Sequence, residues 1–313
     1  MSHVISVTGL TKRFPGCLAL DGVDLQVPAG TVFALLGENG AGKTTLIRIL
    51  TGFLRATSGT CQVLGLDPVR DALAIRRRVG YVSDAPALYD WMQVGEIGWF
   101  ASTFYPAGFL DRYRATIRRY EVGQQWKIRR LSKGQRAKVS LALALASDPE
   151  LLILDEPTAG LDPLVRREFL ESMVDRAAVG KTVLLSSHQI AEVERVADHI
   201  AFLRQGKFCL IRSLAELKES VHLVTVSLTD PLIVLPPLDG AAKVLSEQSS
   251  GRQRQWVVMG WSGELQSQLQ QHYGVINVEA RSATLDELFA ACARPGPSEF
   301  SEDAVNRFEE STA

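Results

Sequence analysis

A chain of 313 residues is long enough to bury a full apolar core without disulfide or metal staples, as one large domain or a large one with a small companion. Its 34 Lys and Arg nearly cancel its 35 Asp and Glu, leaving a net charge of -1. That balance excludes both a general pull toward nucleic acid and an acidic, solvating character, so local sites must carry the function.

The four cysteines, Cys17, Cys61, Cys209 and Cys292, form no C-x-x-C pair. This argues against a zinc knuckle, a redox motif or a secreted disulfide scaffold, and for a reducing cytosol. Met1-Ser2-His3-Val4 shows no basic-then-apolar leader, and apolar runs such as Val139 to Ala146 are too short to span a bilayer. Any membrane role is expected to come through docking.

From Val4 to about Ile211, β-rich runs alternate with helical patterns, which predicts an α/β domain of parallel strands joined by helices. Thr31 to Leu36 is the first continuous apolar run and reads as a buried strand. Gly37-Glu-Asn39-Gly40-Ala41-Gly42-Lys43-Thr44-Thr45 follows and satisfies the phosphate-loop pattern G-x-x-x-x-G-K-S/T, with a helical run from Thr45 to Leu50 behind it. The glycines let successive amides point at a phosphate, Lys43 neutralises charge near the β and γ groups, and Thr44 offers a hydroxyl to Mg²⁺. A merely structural glycine turn would not need Lys43-Thr44.

Between roughly residues 86 and 138 the spacing turns helical, with dense aromatics and bases, predicting a helical subdomain inserted into the sheet domain. Trp91, Met92, Trp99, Phe100, Phe104 and Tyr105 are expected to be mostly core, mixed with some that suit a helix-in-groove contact. The bases of residues 112–138 face only Asp111 and Glu121 in the same stretch and read first as a solvated helix face. Leu131-Ser132-Lys133-Gly134-Gln135 then precedes an apolar helix from Ala137 to Ala146. As chemistry it is a second anion site, a hydroxyl and amides at a helix start.

Leu151 to Leu154 is a buried strand that delivers Asp155 and Glu156 to its carboxyl end, the edge where such sheets bind ligands. Asp155 is the candidate Mg²⁺ ligand. Glu156, expected to alternate to the other side of the strand, is placed to orient or deprotonate an attacking water. Thr182 to Leu185 is a third central strand and leads to Ser186-Ser187-His188.

After Ser213 the pattern changes to a separate small α+β unit, with strands at Leu223–Leu228 and Gln255–Met259 and a helix near Glu264–His272. From Pro295 no core-forming pattern remains, and the segment reads as a disordered acidic tail. The expected divisions are therefore 1–212, 213–293 and 294–313.

Phosphate loops occur in kinases and GTPases too, and Leu131 to Gln135 decides among them. The run resembles the L-S-G-G-Q signature of ABC ATPases, and its place before an apolar helix and just upstream of Asp155-Glu156 is the family's order. Further positions fall into register. Phe14 matches the aromatic that stacks on adenine, Ala159-Gly-Leu-Asp162 the loop that contacts the partner, and His188 the γ-phosphate switch histidine. Lys133 departs from the usual glycine. Asp84 stands where the family commonly has a glutamine that senses Mg²⁺ and the membrane subunit. It either joins the metal site or only caps a turn before Pro86.

The resemblance covers about residues 4 to 212. It implies a RecA-like P-loop NTPase fold: a mostly parallel sheet with an antiparallel β subdomain and an inserted helical subdomain. It also implies ATP and Mg²⁺ held at the phosphate loop and completed by Ser132, Gly134 and Gln135 of a second ATPase subunit, two equal copies being favoured. A separate transmembrane permease subunit, no nucleic-acid partner and a place on the cytoplasmic face of the inner membrane follow. Ser282 to Phe289 resembles the closing segment of bacterial export-type ABC ATPases, so export is expected. The alternative is a non-transport ABC ATPase acting on ribosome or nucleic acid, which usually carries two tandem ATPase domains or a long coiled coil that this sequence lacks.

Overall fold

The computed structural model describes residues 2–84, 87–158, 161, 163–238 and 242–293. The expected tail, and Ala159, Gly160 and Asp162, lie outside the described residues. The chain divides into two compact units between Phe208 and Cys209.

The first unit opens with two antiparallel strands, β1 (His3–Phe14) and β2 (Cys17–Pro28), joined by a turn that sets Phe14 opposite Cys17. Their inward residues, among them Ile5, Val7, Leu10, Leu20, Val23 and Leu25, are buried. Next come β3 (Val32–Leu36), α1 (Lys43–Leu50), β4 (Ser58–Val63), α2 (Ala72–Arg78) and β5 (Val79–Val82). β4 returns beside β1 to complete a three-stranded antiparallel sheet in the order β2-β1-β4.

The helical insertion follows: α3 (Val94–Ser102), α4 (Phe109–Arg119), a 3-10 turn at Ile128–Arg130 and α5 (Lys133–Ala146). Phe109, Tyr113 and Ile117 recur at four-residue spacing, so one face of α4 is buried against Val94, Ile97, Val139 and Ala142. Tyr113 donates its hydroxyl to the Val94 carbonyl at 2.7 Å, pairing a polar tip inside an apolar core. Burying each such side chain is worth about 1.5–3 kcal/mol.

The aromatics divide between core and surface, with fewer in the core than the sequence suggested. Met92 is buried, but Trp91, Trp99 and Phe104 are 66%, 62% and 66% exposed. Phe109, Tyr113 and Ile117 already fill the space beneath α3, so α3 turns Trp99 outward. Of the bases in residues 112–138, Arg136 pairs with Asp90, an acid from outside that stretch.

The rest of the unit is β6 (Leu151–Asp155), α6 (Pro163–Ala178), β7 (Thr182–Ser187), α7 (Ile190–Val193) and β8 (His199–Arg204), and β9 (Lys207–Ser213) carries the chain across the division. The main sheet runs β5-β6-β7-β3-β8-β9, and β5, β6, β7, β3 and β8 pair in parallel. Every residue of β3, β6 and β7 is buried, which explains their unbroken apolar runs: helices such as α1, α5 and α6 pack against this sheet. In this register Leu36 lies opposite Ser187 and Asp155 opposite Ser186, so the chain leaves β3, β6 and β7 at one edge.

The second unit adds α8 (Leu214–Ser220), β10 (Val221–Leu228), β11 (Lys243–Ser250), β12 (Gln253–Met259), α9 (Gly263–Gln270), β13 (Val275–Ser282) and α10 (Leu285–Ala293). Its antiparallel sheet has the order β11-β12-β10-β13. Val224, Val226, Trp256, Val258 and Val278 form its core with Leu269 of α9. No helix among the described residues is long and apolar enough to cross a membrane.

Candidate functional site

β3 ends at Leu36 and the chain curls through residues 37–42 into α1. Glycine is required twice: a Cβ at Gly37 would stand 2.3 Å from the Leu203 carbonyl, and one at Gly42, where φ is +112°, would stand 2.5 Å from that of Ala19. The helix starts two residues before the expected Thr45. Glu38, Asn39 and Gly40 are exposed, Ala41 is buried, Thr44 is exposed and Thr45 is half-buried. The first turn of α1 holds no acidic residue, so its free amides and positive dipole end face an unopposed anion position.

Lys43 is 6% exposed. Its ammonium donates to the carbonyls of Gly37 (2.6 Å) and Glu38 (3.2 Å) and lies 3.3 Å from Glu156 Oε1. Across the edge, Asp155 is 1% exposed and accepts a 2.7 Å bond from the Ser186 hydroxyl. Burial and then the charge of Asp155 raise the Tyr81 phenol above its usual range, with Arg48 opposing.

Glu156 does not reach its place by strand alternation, as the sequence suggested. β6 has already ended, and the residue takes a left-handed backbone at φ +49°, fixed by bonds from its amide to the Ser186 carbonyl (3.2 Å) and hydroxyl (3.1 Å). Such a conformation costs a non-glycine residue about 1–2 kcal/mol, and here it aims the carboxylate back at the phosphate loop. Glu156 Oε2 is 2.7 Å from His188 Nδ1. A carboxylate only accepts, so Nδ1 carries the proton and Nε2 is left for another partner. Lys43, Glu156 and His188, widely separated in sequence, thus meet in one cluster.

Glu156 Oε1 is buried and has no hydrogen-bond donor, since its approach to Lys43 lacks hydrogen-bond geometry. The Asp155 carboxylate and the exposed Thr44 hydroxyl are hard oxygen donors near the same edge. No group of three or more His, Cys, Asp or Glu that could cage a metal occurs among the described residues. That set fits Mg²⁺, which takes one or two protein oxygens and fills its shell from phosphates and water. Asp84 is exposed just past β5, whose partner strand β6 ends in Asp155.

The other expected residues lie apart from the cluster. Phe14 is 37% exposed with the Lys12 ammonium 4.9 Å above its ring. Ser132 is the N-cap of α5: its hydroxyl accepts from the Gln135 amide (3.2 Å), and its own amide donates to the Gln135 side chain (3.0 Å). This reciprocal cap starts the helix at Lys133, ahead of the expected Ala137. A Cβ at half-buried Gly134 would be in ordinary contact with Leu161, at 3.6 Å.

Sequence reasoning missed Ser186 as a functional residue. Its role depends on the register that sets it beside Asp155, and no single segment encodes that.

A strand-loop-helix phosphate cradle, facing an acid-tipped neighbour strand in a parallel sheet, defines the class: a P-loop nucleoside triphosphatase. A family model described as ABC transporter matches residues 20–159. Among curated relatives, the daunorubicin resistance ATP-binding protein DrrA3 of Streptomyces coeruleorubidus is 33% identical over 91% of this chain and 94% of its own length. An uncharacterized ABC transporter ATP-binding protein of Nostoc is 41% identical over 64% of this chain, which spans 61% of that relative. Among solved structures, an ATP binding subunit of an ABC transporter superposes with a TM-score of 0.64 and 29% identity, covering 69% of this chain and 92% of that one. The chain belongs to the ABC transporter ATP-binding proteins, the ATP-hydrolysing cassettes of these transporters.

Proposed function

We propose that the Lys43–Glu156–His188 cluster hydrolyses ATP, with Phe14 against the adenine and residues 37–45 around the phosphates. In this reading Lys43 exchanges its contact with Glu156 for phosphate oxygens. Glu156 then orients the attacking water and accepts its proton, while His188 keeps the carboxylate in place and presents Nε2 to the γ-phosphate. Mg²⁺, held by Thr44 and Asp155 with Asp84 at the margin, would supply charge neutralisation of the phosphates. The observation that carries the reading is the convergence of two distant residues, Lys43 and His188, on the Glu156 carboxylate, at the cost of a left-handed backbone.

The site is half of a larger one. Ser132, Gly134 and Gln135 form the capped start of α5, a second anion-type helix start besides the phosphate loop, which supports a head-to-tail pair of equal copies closing on two ATPs. Closure would move a separate permease subunit. A cavity of about 350 Å³ lined by Phe53, Tyr81, Leu88, Ala101, Tyr105 and Leu143 suits a short apolar helix from such a partner at the cytoplasmic face of the membrane. Export is the favoured direction, since a relative matched over nearly its whole length is named for daunorubicin resistance. The near-neutral charge supports no nucleic-acid partner. The division into an ATPase domain, an accessory domain and a tail belongs to the same proposal.

Glu156→Gln tests the core of it. The variant should keep ATP affinity and lose turnover by roughly 10²-fold or more, and with ATP it should elute as a dimer on size exclusion. A variant that still hydrolyses ATP at the parent rate would end the assignment.

A further inference from the structure

A second polar network lies behind the cluster, among groups that touch none of Lys43, Asp155 or Glu156. Glu192 of α7 is 8% exposed and Thr158 1%. The Thr158 hydroxyl donates to Glu192 Oε2 at 2.7 Å, and Arg166 of α6 lies 2.9 Å from Glu192 Oε1. The same guanidinium donates to the Gln189 side chain at 2.9 Å and to the Leu161 carbonyl at 3.1 Å.

The placement is specific. Thr158 is two residues past Glu156, Leu161 belongs to the loop beyond it, and Gln189 directly follows His188. Arg166 and Glu192 therefore clamp both segments whose leading residues, Glu156 and His188, meet at 2.7 Å. α7 has only 4 residues, too few to persist on backbone bonds alone, so its position depends on tethers of this kind. Stability does not explain the pair. A buried ion pair commonly gives little net stability over an apolar pair of the same volume, because both ions lose their water. What the network's three directed hydrogen bonds, from Thr158 to Glu192 and from Arg166 to Gln189 and Leu161, do supply is geometry, with the Arg166–Glu192 ion pair joining them.

We propose that Arg166 and Glu192 are positioning residues: they hold the His188 imidazole against the Glu156 carboxylate and tie that contact to the loop at Leu161. The inference rests on Glu156 and His188 being the hydrolytic pair. Neither Arg166 nor Glu192 reaches the reacting atoms, so their removal acts through alignment, where a shift of about 1 Å can cost on the order of 10²-fold in rate.

The test compares the full chain with Glu192→Gln, Arg166→Lys and each of these combined with Glu156→Gln. Readouts are kcat, KM for Mg²⁺-ATP, nucleotide affinity and Tm. Glu192→Gln keeps the size of the side chain and one acceptor, and Arg166→Lys keeps the charge but not the fork. Both should lower kcat by roughly 10- to 100-fold, with KM and nucleotide affinity within about twofold of the parent. Neither should slow the residual turnover of Glu156→Gln further, because the lost alignment has nothing left to align.

A kcat near the parent value in either single variant overturns the proposal. So does a fall in nucleotide affinity as large as the fall in kcat, or a loss that adds in full to that of Glu156→Gln. If Glu192→Gln does not accumulate as folded protein, Arg166→Lys, at the more exposed member of the pair, decides alone. A parent enzyme insensitive to Glu156→Gln would indict the assigned base. Insensitivity of Glu192→Gln and Arg166→Lys, in an enzyme that Glu156→Gln silences, would indict only the clamp.

Discussion

At Glu156 two demands compete, because the carboxylate must face Lys43 and His188 while its backbone occupies a region that suits glycine. The conflict is measurable without activity. Glu156→Gly and Glu156→Ala both delete the carboxylate and differ only in tolerance of φ +49°. The glycine variant should be the more stable of the two by about 1 kcal/mol in urea unfolding, the reverse of their order in a helix or strand. Equal stabilities would mean that the turn relaxes when the side chain is removed. Ser186 shows what a reader of the sequence cannot see. Its hydroxyl serves Asp155 and the Glu156 amide, 31 and 30 residues away, and only the parallel pairing of β6 and β7 makes them neighbours.

At the scale of elements, α5 joins two roles in one residue. Ser132 caps the helix and is also the candidate donor to a partner's phosphate, and substitution separates these. Ser132→Ala should cost about 1 kcal/mol of stability through the lost cap. Ser132→Asp keeps the cap and sets a negative charge where an anion is expected to dock. It should therefore match the parent in thermal unfolding yet lose ATP-driven dimerisation, read by size exclusion of the Glu156→Gln/Ser132→Asp protein. Retained dimerisation would confine Ser132 to capping.

The same scale shows what was legible. β3, β6 and β7 announced themselves because strands buried on both faces are apolar throughout, and the phosphate loop and the paired acids are contiguous motifs. β1 and β2 were not placed as a long hairpin, since register shifts interrupt the alternation that marks a half-buried strand. α7 is too short to leave a period, and with it the Arg166–Glu192 pair was invisible.

For the molecule as a whole, folding has lowered the proton affinity of two carboxyls among the described residues, one in each unit: Glu150, held by the Arg78 guanidinium, and Glu287, held by Arg281 and Thr284. A folded-state value below the ordinary 4.5 means that the pairs contribute fully above that value. The contribution is lost as pH falls through the lowered one. Both pairs are partly solvated, so each is worth about 0.2–1 kcal/mol. Urea unfolding between about pH 6 and pH 3 should show Glu150→Gln less stable than the parent at the upper end and level with it at the lower. A constant gap across the range would assign the loss to packing instead.

The hairpin that places Phe14 also decides how the protein can be observed. Cys17, across from that ring, is exposed, whereas Cys292 is buried and burial pushes the Cys61 thiol up to about 12, where almost no reactive thiolate forms at neutral pH. A maleimide dye should therefore favour Cys17 over Cys61 and Cys292 without engineering. Its fluorescence there would test, in real time, whether a nucleobase arrives on the neighbouring aromatic face.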